Sequence, residues 1–205
     1  MIIKNLFRII RDYKFSLVAV IFFEFLYFFR GYKGNKFDFS NNKWMTDNIP
    51  CPYYFLFKIK NTLKKEVFFN FLDFGCGSGR VINYFNKSFS NKHFIGIEYF
   101  TAQYNYCKKI FKNHNNVEII QEDFTKSDFF SHKADCYFFN DPFTNSADFI
   151  KFVENIIKIS GKKKILFIFV NYNKKVINEL KYIKCIDSFY VSKTKGYSIY
   201  YLNNN

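Results

Sequence analysis

The stretch Asp73-Phe74-Gly75-Cys76-Gly77-Ser78-Gly79-Arg80 carries the densest chemistry in the chain. Glycines spaced G-x-G-x-G let a backbone turn sharply between a strand and a helix and approach a ligand closely. Asp73, two residues ahead of Gly75, suits the cationic end of such a ligand. The dinucleotide pattern G-x-G-x-x-G would need a glycine where Arg80 stands, and no lysine follows in the P-loop place. Nucleoside triphosphate binding is therefore not supported, and a nicotinamide oxidoreductase is disfavoured. Glu98 closes the run Phe94-Ile95-Gly96-Ile97-Glu98, one helix and one strand downstream. A carboxylate there can take both hydroxyls of a ribose. Asp123, with Glu122 as a neighbouring competitor, can accept from an adenine amino group, and Phe124 can cover the ring. Asn140-Asp141-Pro142-Phe143 follows an apolar run, at a strand end where active sites of open sheets lie. Asn140 or Asp141 could orient an acceptor amine or the cofactor, Pro142 stiffens the turn, and Phe143 offers a flat wall.

Elements that position these residues follow from the hydrophobic pattern. Short apolar runs predict strands at 67–74, 93–98, 117–121, 134–140, 164–170, 183–191 and 197–202. Helices are predicted at 80–89, 101–113, 147–159 and 174–180, with another from Tyr53 to about Glu66. Nearly continuous apolar strands alternating with helices imply a parallel sheet covered on both faces. Gly196 marks a hairpin between the last two runs, so the sheet closes with antiparallel strands. The expected fold is a doubly wound, mainly parallel seven-stranded sheet with a C-terminal antiparallel hairpin and an N-terminal helical segment.

Composition bounds the rest. The chain has 205 residues, 49% hydrophobic and 23% charged, which excludes wholesale disorder. Phe, Tyr, Lys, Asn and Ile are abundant and Arg is scarce, as AT-rich coding produces. The net charge of +14 divides as +7 over residues 1–66, −1 over 67–149 and +8 over 150–205. Basic ends attract phosphates of nucleic acid or of an anionic membrane, although Lys-rich solvated faces account for much of the excess. Cys51, Cys76, Cys107, Cys136 and Cys185 form no C-x-x-C pair, and His93, His114 and His132 have no ligand spacing, so neither a disulfide framework nor a metal site is expected. The thiols fit a cytoplasmic location.

Residues 13–29, YKFSLVAVIFFEFLYFF, form the most apolar run, with Glu24 inside it. Lys4, Arg8, Arg11 and Lys14 precede it, and Arg30, Lys33 and Lys36 follow. Three readings stand: a helix packed on the main domain, a helix lying on an anionic membrane surface, or a short signal anchor. No small-residue cleavage site follows, so a cleaved signal peptide is not expected. The loop-like stretch 31–52 places the boundary between accessory segment (1–50) and main domain (51–205) near residue 50.

Asp73 to Arg80, Glu98, Asp123 and Asn140–Phe143 together resemble class I, Rossmann-like methyltransferases that use S-adenosylmethionine (SAM). The chain is also similar to small bacterial methyltransferases with a basic N-terminal helix, a Tyr-containing segment before the glycine loop (here Tyr53-Tyr54), a G-x-G-x-G-R loop, a G-[IV]-E strand and an N-P-F turn. Asp141 takes the Asn place of that turn. In the related N-P-P-[YF] motif of amino-group methyltransferases, it takes the place of the first proline. The resemblance implies SAM as cofactor, S-adenosylhomocysteine as product and no metal. It implies cofactor contacts at Asp73, Gly75, Cys76, Gly77, Gly79, Glu98, Asp123, Phe124 and Asn140, acceptor contacts at Tyr54, Pro142 and Phe143, and catalytic roles for Asp141 and Asn140. Asp141 is the plausible base, since no His stands in these motifs. A protein side chain or small molecule is favoured as acceptor over nucleic acid. A non-catalytic SAM-fold module and a nucleic-acid N-methyltransferase are the alternatives, and peripheral membrane contact through residues 13–29 stays open.

Overall fold

A computed structural model describes residues 16–32, 50–125, 134–160 and 164–202. Lys4, Arg8, Arg11, Lys14, Lys33, Lys36 and His132, with most of the 31–52 loop, lie outside the described residues. Two helices, α1 (Leu17–Phe29) and α2 (Tyr53–Leu63), precede the first strand. The chain then runs β1 (Asn70–Phe74), α3 (Arg80–Ser88), β2 (His93–Glu98), α4 (Thr101–Phe111), β3 (Val117–Gln121) and β4 (Cys136–Asn140). It ends with α5 (Ser146–Ser160), β5 (Leu166–Val170), α6 (Lys174–Ile177), β6 (Ile183–Tyr190) and β7 (Gly196–Leu202).

Seven strands form one sheet in the order β3-β2-β1-β4-β5-β7-β6. The first five are parallel, and β7 inserts antiparallel between β5 and β6. This is the expected architecture, hairpin included. Alternation along β1 shows how both faces are buried: Phe71 joins the core on one side, while Leu72 and Phe74 join the core on the other. The predicted first strand is longer than the observed one. Val67 and Phe69 project into solvent, and pairing starts only at Asn70. There the Asp135 carboxylate accepts from the amides of Phe69 and Asn70 and ties β1 to the start of β4.

Helix α1 ends in a Schellman motif. Gly31 sits at φ +66, its amide donates to the Phe28 carbonyl, and the Tyr32 amide donates to the Tyr27 carbonyl. The Tyr27 and Tyr32 rings, 4.9 Å apart, supply the accompanying apolar contact. One face of α1 packs on the domain. Tyr27 is buried among Tyr53, Tyr84 and Tyr32, and its hydroxyl lies 3.1 Å from that of Tyr84. Among the described residues no helix is long and apolar enough to cross a membrane.

Candidate functional site

The glycine loop occupies the crevice between the carboxyl ends of β1, β2 and β4. Gly75, Gly77 and Gly79 take φ values of +70, +54 and +82, a region that L side chains rarely enter. Two of these glycines answer different constraints. A Cβ on Gly79 would stand 2.6 Å from the Cys107 sulfur and 2.8 Å from the Phe111 ring, so α3 can approach α4 only with glycine there. A Cβ on Gly75 would meet only the Pro142 Cβ, at 3.5 Å. That contact also brings the loop after β4 against the loop after β1. The Cys76 side chain points inward, its sulfur 4.0 Å from that of Cys107. Its amide donates to the Ile97 carbonyl at 2.9 Å, which leans the loop on β2.

Glu98 fastens the loop. Its carboxylate accepts from the Gly77 amide and from the Phe100 amide, each at 2.8 Å. Burial raises its pKa, and the backbone donors of Phe100, Gly77 and Tyr99 oppose that rise. Sequence reasoning assigned Glu98 to a ribose. The structure also gives it the role of a strap that holds backbone amides of the glycine loop and of the segment after β2.

Asp73 lies on the same face of β1 as Phe71, 2% exposed. Its Oδ2 has no hydrogen-bond partner among the described residues. Burial, then the neighbouring Glu98, push its pKa well above the carboxylate range. A buried carboxylate oxygen without a donor is costly unless a ligand supplies one.

Past β4 the backbone is strained. Asp141 has φ +49 and Asn171, the residue after β5, has φ +64, so two neighbouring strands end in left-handed residues without glycine. The Asn171 side-chain amide donates to Asn140 Oδ1 at 2.9 Å and bridges the two strand ends. Asn171 Oδ1 and the Tyr172 hydroxyl, both buried, have no partner among the described residues. Partial burial raises the Asp141 pKa to about 6, and Lys195 from the β6–β7 hairpin counters part of the rise. Asn171, Tyr172 and Lys195 were not singled out from sequence. Only the strand order brings them to Asp141.

Other predicted residues fall around this crevice. Asp123 Oδ1 accepts from the Thr125 amide and hydroxyl. Phe124 is buried against Phe74 and Phe143, which makes it part of the core beneath the site. Phe143 packs on Phe124, Phe149 and Phe152. Tyr54 packs between Phe23 of α1 and Phe189 of β6. Its neighbour Tyr53 instead lies under Arg80, whose guanidinium carbon is 4.5 Å from the ring centroid. Arg80 donates to both oxygens of Glu24, at 3.1 and 2.9 Å, and to the Cys51 carbonyl at 3.3 Å. Glu24 also accepts the Tyr53 amide at 3.0 Å, capping the start of α2. Among the described residues no group of three His, Cys, Asp or Glu could hold a metal ion.

Comparison with known proteins agrees with this fold. The family model described as a methyltransferase domain matches residues 71–160, the span from β1 through α5. No curated protein matches the sequence. Among solved structures, a Staphylococcus aureus protein provisionally described as a caffeoyl-CoA O-methyltransferase superposes with a TM-score of 0.56 at 16% identity, over 72% of this chain and 82% of that one. The S-adenosylhomocysteine-bound methyltransferase PaMTH1 of Podospora anserina gives a TM-score of 0.55 at 12% identity, over 74% and 79%. The plantazolicin methyltransferase BpumL, bound to a monoazolic desmethyl-plantazolicin analogue and S-adenosylhomocysteine, gives 0.53 at 12%, over 73% and 82%. At these identities the likeness is one of fold, and the chain has the class I methyltransferase fold.

Proposed function

We propose that this protein is a SAM-dependent methyltransferase whose acceptor is a protein side chain or a small molecule. The observation that carries the reading is the buried, unpartnered Asp73 oxygen at the tip of β1, beside three glycines held in left-handed conformation. An ammonium group would satisfy that carboxylate, and the glycine loop leaves room for the backbone to approach a ligand. Asp73 would hold the amino group of SAM, Glu98 its ribose hydroxyls and Asp123 its adenine amino group. When bound, SAM supplies a methyl group already activated by its sulfonium.

The chain's own task is then to hold an acceptor in line and to manage its proton. Asn140 ends β4, and Pro142 two residues on stands against Gly75 of the glycine loop. Asp141, with a pKa of about 6, is mostly ionised at neutral pH and sits near the optimum for a general base. It accepts the proton of a hydroxyl or ammonium acceptor. The Asn171 Oδ1 here, buried and without a partner among the described residues, favours a substrate that donates hydrogen bonds.

Calorimetric titration with SAM, S-adenosylhomocysteine and NAD tests the cofactor assignment. Micromolar SAM binding is expected, with none for NAD, and Glu98→Ala should weaken SAM by about 1–3 kcal/mol. Folded protein that ignores SAM, or binds it equally well in the variant, overturns the reading.

A further inference from the structure

The face of α1 opposite its docked side has no role in the site. Val18, Ile21, Phe22, Phe25, Phe28 and Phe29 are 47–80% exposed along it. They recur at spacings of three and four and form one stripe of a thirteen-residue helix. A contiguous exposed apolar patch of this kind marks an interaction site. We propose that this stripe seats the protein on an anionic membrane surface, with α1 lying in the plane of the headgroups.

Three observations support a helix lying on an anionic lipid surface. Every exposed large side chain of the stripe is purely hydrocarbon, as the buried face of an interfacial helix requires. The charge is complementary too. Residues 1–36 hold seven basic side chains, Lys4, Arg8, Arg11, Lys14, Arg30, Lys33 and Lys36, against Asp12 and Glu24. Glu24 is engaged by Arg80, so this flanking charge is almost wholly cationic. Three of the chain's four arginines fall in this segment, and guanidinium suits phosphate recognition. Finally, the thirteen described residues of α1 span about 20 Å against a hydrocarbon core of about 30 Å, which suits a helix lying on the membrane better than one crossing it.

Glu24 and Tyr27, on the docked face, keep α1 attached to the domain while the stripe faces outward. Membrane seating is thus compatible with the folded domain and needs no rearrangement of it.

The test uses the full chain without SAM, so its outcome is independent of the methyltransferase reading. The protein is sedimented with vesicles of phosphatidylcholine alone or mixed with phosphatidylglycerol, at low and high salt. Sedimentation velocity without vesicles gives the oligomeric state. Capture by the anionic vesicles is expected, falling about tenfold in neutral vesicles or high salt. The double variant Phe25→Glu, Phe28→Glu should lose capture and keep its thermal midpoint. If that variant does not fold, Phe25→Ser should lower capture alone. Absence of capture overturns the proposal, as does equal capture by neutral vesicles or by the folded variant. A dimer that the variant dissociates overturns it in favour of a second copy covering the stripe.

Discussion

Glu24 and Arg80, 56 positions apart in the chain, meet at 2.9 Å and join the N-terminal helix to the first residue of the helix that leaves the glycine loop. Arg80 stands where a dinucleotide fold would need its third glycine. Its side chain lies over Tyr53, and Glu24 caps α2 with its remaining capacity. One carboxylate in an apolar helix therefore pairs with a guanidinium and caps a helix amide together. Arg80→Ala leaves Glu24 without its cation and exposes the Tyr53 ring, so it should cost about 2–3 kcal/mol in chemical denaturation. Glu24→Gln keeps an acceptor for the Tyr53 amide and should cost about 1 kcal/mol, since Glu24 is partly solvated. A double-mutant cycle that shows no coupling between the two would contradict the pairing.

Asp73 predicts a conflict between stability and binding. Its carboxyl is buried with one oxygen unpartnered among the described residues, and burial and Glu98 disfavour its ionised form, so Asp73→Asn should raise the melting temperature without ligand. The same change removes the partner for a ligand ammonium, so SAM affinity should fall about tenfold or more, equivalent to about 1.4 kcal/mol. Thermal melts with and without SAM read both effects. A variant that is less stable, yet gains as much from SAM as the parent, would mean that Asp73 supports the fold instead of the ligand.

Much of this fold was legible because burial leaves continuous apolar runs. Leu166–Val170 is wholly buried and could only be an inner strand, and His93–Glu98 and Val117–Gln121 match their predicted bounds. Phe68 and Phe69 show the limit of that signal. Both are aromatic, but one is buried and the other exposed, and sequence cannot distinguish them. The site was legible where a single segment carries the chemistry, as from Asp73 to Arg80. It was not legible where strand order makes neighbours. Asn171 reaches Asn140 because β5 pairs with β4, and Lys195 reaches Asp141 because β7 inserts beside β5. Glu24 read as a cost within an apolar run, and only its partner explains it.

The glycines of the loop should respond unequally to the same methyl group. Gly79→Ala places a Cβ within 2.8 Å of the Phe111 ring and closer still to the Cys107 sulfur, at φ +82. Steric overlap and backbone strain together should cost about 3–4 kcal/mol. Gly75→Ala meets only Pro142 at van der Waals distance, so it bears the left-handed penalty of about 1–2 kcal/mol alone. Urea denaturation should rank them in that order, and equal losses would show that α3 and α4 can separate without cost.

Asp141 should be visible in two pH profiles of opposite slope. Its folded pKa is about 6, against 3.8 for an ordinary Asp, so between those values the native state binds more protons than the unfolded chain. Stability must then fall as pH rises through that window and stay lower above it. Asp141→Asn should remove this slope and add about 1 kcal/mol at pH 8, a figure discounted for partial solvation. Asn also tolerates the left-handed φ better than most residues. Activity should run the other way. A base must be ionised, so kcat/KM on an acceptor that loses a proton should rise with pH to a plateau above about 6. Lys195 lowers the Asp141 pKa, so Lys195→Met should move that limb to higher pH without altering the plateau. Asp141→Asn should abolish the limb and reduce turnover by about 100-fold or more. A limb that stays in place in both variants would assign the proton to another group. An Asp141→Asn protein that is stabilised and fully active would leave Asp141 as strain without a catalytic role.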